Sequence, residues 1–311
     1  MLISIITPTF NASSTLGETL ESVRLQMGED MEHLLLDACS TDRTLDVVKQ
    51  FSHLVVHSEP DSGIYDGMNK GAGLACGDWI LFLQGDDWLP EGTLEAYRRA
   101  IASYPDAEMI CGNCEAVKES EGSWSAIWSV SDSASKKLTI ENIALGEPMI
   151  NARLIRRDIF WKLGGFSLEY SLASDRDFLL RAAEAGVRQG EIQIPTYRYR
   201  WHSRSSTMTE GNSLSAKLRQ ENIRIAQRHQ QLLSGDDKGA IRSWRAKLAV
   251  EHAMNAMENR EMKSFGEACS HGLGSHAYWG FSLCVEIACR VPGYLKRGCR
   301  TRTQARSSGK Q

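Results

Sequence analysis

Apolar residues fall in short uninterrupted runs at 2–7, 33–37, 54–57, 79–83 and 108–111, separated by stretches in which they recur with helical spacing. Runs of Ile, Leu and Val without polar alternation predict strands covered on both faces. Their alternation with helices over the first ~115 residues predicts a mainly parallel sheet in an α/β fold. Thr15 and Glu18 have capping-box spacing ahead of Leu16, Leu20 and Val23 on one helical face, and Leu45, Val48 and Phe51 repeat the pattern after Asp42. From Ser120 to Lys137 the chain is Ser-rich and weakly periodic, which predicts a loop or irregular insertion. A short helix ending at Gly164-Gly165 and a second over 175–185 follow.

If the stretch IQIPTYRYRWHSRSS is extended, Arg198, Arg200, His202 and Arg204 share one face and Tyr197, Tyr199 and Trp201 the other. Part of that cationic face would suit a diphosphate; the other reading, favoured for Arg198, is a solvated edge strand that uses charge to resist aggregation. Beyond Gly211 the patterns over 215–233 and 240–260 are helical with no strand between them. The expected organisation is therefore an α/β domain over 1–210 and a helical extension over 211–311. Residues 277–291 are apolar except for a polar stripe of Ser282, Glu286 and Arg290, and Pro292-Gly293 stops the pattern. After Glu286 come seven Lys or Arg and no acid. Two readings stay open: a helix lying in a membrane interface, contacting it through 277–300, or a helix packed on the domain with a basic tail.

The 36 basic and 39 acidic residues nearly cancel, which argues against a nucleic-acid partner held by bulk charge. The first residues, MLISIITPTF, predict a strand and not a signal peptide, so a cytoplasmic protein is expected, at the inner face of the cell membrane if the 277–291 helix lies on it. The eight cysteines are then reduced thiols, with Cys111 and Cys114 a lone CxxC lacking a second ligand pair.

Chemistry enters with WILFLQGDDWLP, where a buried strand runs into Asp86 and Asp87. Ligands of open α/β sheets bind at the carboxyl ends of strands. Two adjacent carboxylates repel unless a hard divalent cation compensates them, and an acidic turn capping the next helix is the plainer reading.

Taken with this pair, Thr7-Pro8-Thr9-Phe10-Asn11, the run Leu36 to Thr44, the segment Ser58 to Gly71 (SEPDSGIYDGMNKG) and Gly77-Asp78-Trp79 resemble, in order and spacing, family 2 glycosyltransferases. The resemblance covers residues 1 to about 205 and is to the bacterial branch found in exopolysaccharide and colanic-acid-type clusters. It implies a GT-A fold, a nucleotide-diphosphate sugar donor, Mn²⁺ or Mg²⁺ on Asp87 and Asp86, and inversion at the anomeric carbon. Thr7, Pro8, Thr9 and Asp37 would then cradle the nucleoside. Asp66, Asn69, Lys70 and Asp86, with His202 and Arg204, complete the donor set. The acceptor would be a glycan or polyprenyl-linked hydroxyl. Asp175, following the Gly164-Gly165-Phe166 segment, becomes the expected base, since transfer needs one carboxylate at the acceptor hydroxyl. A helix cap explains it too.

A nicotinamide dehydrogenase is excluded because Gly71, Gly73 and Gly77 precede a strand instead of opening a helix. The surviving rival is a degenerate GT-A protein that binds nucleotide or a partner without turnover, suggested by Ala38, Ile150 and Asn151 where relatives carry polar groups.

Overall fold

The computed structural model describes residues 3–120, 122–145, 150–201 and 213–232, together with Gly239, Trp244, Leu248 and Ala249. His202, Arg204, the 277–291 segment and the basic arm lie outside the described residues. The elements are β1 (Ile3–Thr9), α1 (Leu16–Arg24), β2 (Met31–Asp37), α2 (Thr44–Val48), β3 (Leu54–Ser58), α3 (Ile64–Leu74), β4 (Trp79–Phe82), α4 (Thr93–Ser103) and β5 (Met109–Ser120). They continue with β6 (Ser123–Val130), α5 (Ser133–Lys136), α6 (Ile140–Leu145), β7 (Arg153–Arg156), α7 (Arg157–Lys162), α8 (Ser174–Glu184), β8 (Gln189–Arg200) and α9 (Ser213–Leu232).

One sheet runs β3-β2-β1-β4-β7-β5-β6, with β8 paired to β5. The β3-β2-β1-β4 half is parallel, as the buried runs predict, and β7 joins it antiparallel to both β4 and β5. Every residue of β1 and β4 is buried. On one face Gly71 lets α3 lie directly on β1 and β2, since a Cβ there would stand 2.4 Å from Ile6 and 2.8 Å from Leu36. On the other face Ile5, Leu81, Leu83, Tyr97, Ile110 and Tyr197 form the core. Leu16, Leu20 and Val23 of α1 are fully buried, each contributing about 1.5–3 kcal/mol.

Three expectations need correcting. Residues 120–137 are not a loop: β6 folds back on β5 as an antiparallel hairpin, turned at Gly122 with φ 75°, and α5 follows. Its Lys136 is buried because Nζ donates to Asn113 Oδ1 at 2.6 Å and to the Ile192 carbonyl at 3.0 Å, and pairs with Glu191 at 2.6 Å. The capping box does not form either. Thr15 Oγ donates to the Gly85 carbonyl at 3.1 Å, and Glu18 accepts from Arg200 at 2.6 Å, so both side chains reach across the fold. Nor is the face carrying Arg198 and Arg200 solvated throughout: the Arg198 side chain is 40 % exposed, as an edge-strand reading expects, but Arg200 is withdrawn. Arg198 pairs with Glu115, while Arg200 is 9 % exposed and lies 4.7 Å from the ring centroids of both Trp88 and Trp124.

The chain divides into two compact units, Met1–Glu221 and Asn222–Gln311. Within the second, Ile225, Ala226 and His229 are buried at helical spacing, and His229 stacks on Trp244 with centroids 5.5 Å apart. Among the described residues no helix is long and apolar enough to cross a membrane.

Candidate active site

A cleft of about 720 Å³ opens at the carboxyl ends of β1, β2 and β4 and at the start of α3, lined by Pro8, Thr9, Ala38, Gly63, Gly85 and Asp86 among others. Parallel strands place it there, because their loops leave at one end of the sheet. Asn11, with φ 50°, turns the chain after β1, and its Oδ1 accepts from the amides of Thr41 at 2.9 Å and Asp42 at 3.3 Å. The loops after β1 and β2 are thereby tied together.

Of the expected donor residues, Pro8, Thr9 and Asp86 line the cleft. Thr9 is 6 % exposed, and its Oγ, packed against Gly85, is a buried polar group without a hydrogen-bond partner within the protein. The other side chains of the set hold the walls. Thr7 Oγ pairs with His33 Nε2 at 2.8 Å. Asp37 accepts from Ser58 Oγ at 2.6 Å and from the Ser40 amide, joining the ends of β2 and β3. Asp66 accepts from the Ser62 amide at 2.9 Å, and Lys70 donates to the Pro60 carbonyl at 2.7 Å and pairs with Glu59, so both fix the 59–63 turn. Asn69 clamps Phe166 from both sides, donating to its carbonyl at 2.8 Å and accepting from its amide at 2.9 Å.

The two adjacent carboxylates have different surroundings. Asp86 is half-buried on the cleft wall. Asp87 is fully buried; Oδ2 accepts from Tyr197 Oη at 2.5 Å and Oδ1 from the Arg200 amide at 2.7 Å. Burial, reinforced by neighbouring Asp86, pushes the Asp87 carboxyl well above the usual carboxylate range. Among the described residues no group of three or more His, Cys, Asp or Glu is gathered as for a metal cage. One cleft carboxylate plus diphosphate oxygens nevertheless suits a hard cation, which commonly takes only one or two protein carboxylates.

Asp175 stands in the first turn of α8. Its Oδ1 accepts from Tyr65 Oη at 3.1 Å and from the Arg176 amide at 2.8 Å. Tyr65 directly follows Gly63 and Ile64 of the cleft wall in the chain, but neither Tyr65 nor Asp175 lines the cleft itself. Burial, then the Asp175 charge, push the Tyr65 hydroxyl well above its ordinary pKa, which keeps it a donor. Sequence reading passed over Tyr65; the available signal was its place in GIYDGMNKG between residues already singled out. It also missed Phe10, which lines the cleft rim and is 61 % exposed.

The Gly164-Gly165-Phe166 segment brings α8 to this position. Gly164 and Gly165 have φ of 88° and 64°, and a Cβ on Gly165 would stand 2.9 Å from Asn69 Oδ1. Phe166 enters an aromatic cluster with Phe82, Phe160 and Phe178, at centroid distances of 5.2 to 5.4 Å. A turn that only glycine enters without strain therefore anchors the approach to Asp175.

Comparison with known proteins agrees with this architecture. Among solved structures, TarS 1–349 of S. aureus superposes with a TM-score of 0.62 at 20 % identity, covering 82 % of this chain and 74 % of that one. The mannosyltransferase PcManGT from Pyrobaculum calidifontis, in complex with GDP-Man and Mn²⁺, gives a TM-score of 0.60 at 16 % identity, covering 97 % of this chain and 83 % of that one. By sequence, a PGL/p-HBAD biosynthesis glycosyltransferase of Mycobacterium bovis (strain BCG / Pasteur 1173P2) is 32 % identical over 186 residues, 58 % of this chain and 69 % of the relative. The family model for glycosyl transferase family 2 matches residues 4–164, from the first strand of the sheet to the glycine turn that leads to Asp175. The chain belongs to glycosyl transferase family 2, with the mixed α/β architecture of GT-A enzymes.

Proposed function

We propose that this glycosyltransferase moves a sugar from a nucleotide-diphosphate donor to a hydroxyl of a glycan or polyprenyl-linked acceptor in surface-polysaccharide synthesis, with inversion at the anomeric carbon. The observation that carries the reading is a strand-end cleft, walled by Thr9 and Asp86, together with a second carboxylate, Asp175, held by Tyr65, the chain neighbour of the cleft residue Ile64. The TarS structure in complex with UDP-GlcNAc and the GDP-Man complex of PcManGT support a nucleotide-sugar donor. Motif segment 58–71 supports the polysaccharide context.

Pro8 and Thr9, on the cleft wall, would receive the nucleoside. Asp86 would hold a divalent cation, which when bound neutralises charge on the leaving diphosphate. Asp87, committed to Tyr197 and Arg200, would instead brace the turn that presents Asp86. Asp175 would take the proton from the acceptor hydroxyl as it attacks the anomeric carbon. A single displacement with one base yields inversion, in contrast to the two flanking carboxyl groups of glycoside hydrolysis. His202 and Arg204 would meet the diphosphate, and residues 277–300 an anionic membrane surface.

The test is release of nucleoside diphosphate from UDP-, GDP- and dTDP-sugars, with and without Mn²⁺, followed by anomer analysis of the product. Release that depends on acceptor and gives an inverted linkage supports the reading. Tight donor binding with no release under any of these conditions would establish the degenerate protein instead.

A further inference from the structure

Asp175 is delivered by the strand-free segment between Phe166 and α8, and that segment is gripped from three directions. Ser174 Oγ donates to the Ser167 carbonyl at 2.8 Å, closing the segment on itself. Tyr65 Oη donates to the Leu172 carbonyl at 3.2 Å as well as to Asp175. The third grip comes from α9. Glu221 is 1 % exposed, and its carboxylate accepts from the Ser171 amide at 3.0 Å, Ser171 Oγ at 3.0 Å, the Leu172 amide at 2.8 Å and the Ala173 amide at 3.0 Å.

Three successive backbone amides converging on one carboxylate form an anion-binding nest, here filled by the protein's own side chain. The nest lies immediately before α8, whose N-cap residue Ala173 offers no side-chain cap. Glu221 therefore supplies from a distant part of the sequence the negative charge that a helix N-terminus favours. The peptide units around Leu172 are held on both sides, amide to Glu221 and carbonyl to Tyr65. A buried carboxylate that accepts from three backbone amides and one hydroxyl is a device for fixing geometry, because leaving it unpaired would be costly.

We propose that Glu221 is a positioning residue for glycosyl transfer: it sets the 171–173 backbone so that Asp175 meets the acceptor hydroxyl, which makes the start of α9 part of the catalytic unit. The inference rests on the reading of Asp175 as the base. Its signature is a loss in turnover without a matching loss in donor binding, since the cleft residues Pro8, Thr9 and Asp86 lie on other elements.

The experiment compares full-length Glu221→Gln, Glu221→Ala and Asp175→Asn. It measures thermal midpoint, donor dissociation constant and kcat for nucleoside diphosphate release from the sugar nucleotide that supports turnover. Gln keeps the shape but weakens the charge-assisted bonds, and Ala removes them all. Expected are folded variants whose donor affinity stays within about 2-fold while kcat drops by roughly 10-fold for Gln and about 100-fold for Ala, the scale of a displacement near 1 Å. Unchanged kcat in both Glu221 variants overturns the proposal. So does a parallel fall of kcat and donor affinity, or failure of both to fold, because each outcome makes Glu221 a purely structural buttress. Full turnover in Asp175→Asn removes the base assignment and this inference with it. Loss of turnover in Asp175→Asn alone removes only this inference.

Discussion

The Tyr197 hydroxyl meets Asp87 Oδ2 at 2.5 Å inside the core, on the side of the turn away from the cleft-lining Asp86. Adjacent acids in one motif thus differ in surroundings, one on the cleft wall and one bonded into the scaffold. Tyr197→Phe removes the donor and leaves a buried acceptor short of a partner. Urea unfolding is expected to show a loss of about 1–3 kcal/mol, with donor affinity little changed.

The same division separates the two aspartates. Asp86→Asn should remove the Mn²⁺-dependent component of donor binding while leaving the thermal midpoint near that of the parent. Asp87→Asn should lower the midpoint and keep the Mn²⁺ dependence. Isothermal titration with and without EDTA decides the matter, and Mn²⁺ dependence lost in Asp87→Asn but kept in Asp86→Asn would reverse the assignment.

Asp175→Asn is expected to cut kcat by ~10²–10⁴-fold at nearly constant donor affinity, as an amide cannot accept the acceptor's proton. Tyr65→Phe should lower kcat less, since the carboxylate survives and only one of its orienting hydrogen bonds is lost. A donor dissociation constant rising in step with the loss of kcat would show Asp175 to be a helix cap.

His33 is fully buried between Thr7 and His53, and desolvation, with a smaller contribution from His53, depresses its pKa to about 3. The unfolded chain takes up a proton near pH 6.5 that the folded chain refuses. Its contribution is therefore complete above pH 6.5 and is lost as the pH falls from there toward 3, at up to about 1.4 kcal/mol per pH unit. Urea midpoints measured from pH 7 to 4 should fall accordingly, and His33→Gln should flatten that slope.

Gly165→Ala tests the turn that leads to Asp175. The added methyl would have to occupy a left-handed backbone and press on Asn69. A loss of at least ~1 kcal/mol in thermal or urea stability is expected, accompanied by reduced turnover. Stability equal to the parent would show that the Asn69 clamp is loose.

The strands β1 and β4 were legible because burial on both faces leaves nothing but apolar residues to read. The β5–β6 hairpin was not, since β6 is largely exposed and alternates Trp and Ile with serine, which reads as loop. β7 escaped notice because its sequence is RLIR, and Arg153 is buried only by virtue of remote partners, the Gln189 side chain and the Lys136 carbonyl. At the site, Pro8, Thr9 and Asp86 were legible as strand-end residues of a motif. The motif could not tell a cleft residue from one bracing the wall behind it: Thr7 turns to His33, and Asn69 to Phe166. Glu221 carried no local signal, because its partners lie about fifty residues earlier in the chain.

Strand order also bears on how the protein is made. Ile155 of β7 pairs with Ile80 of β4 on one side and Met109 of β5 on the other, so β4 and β5 both lack the neighbour that joins them until the ribosome has passed Arg156. At ~5–20 residues per second, the stretch after Ser120 takes on the order of seconds to synthesise. Throughout that interval the β7-facing edges of the apolar β4 and of Met109–Cys111 in β5 stand open to pairing with other chains. The length of that exposure is thus set by where β7 falls in the sequence.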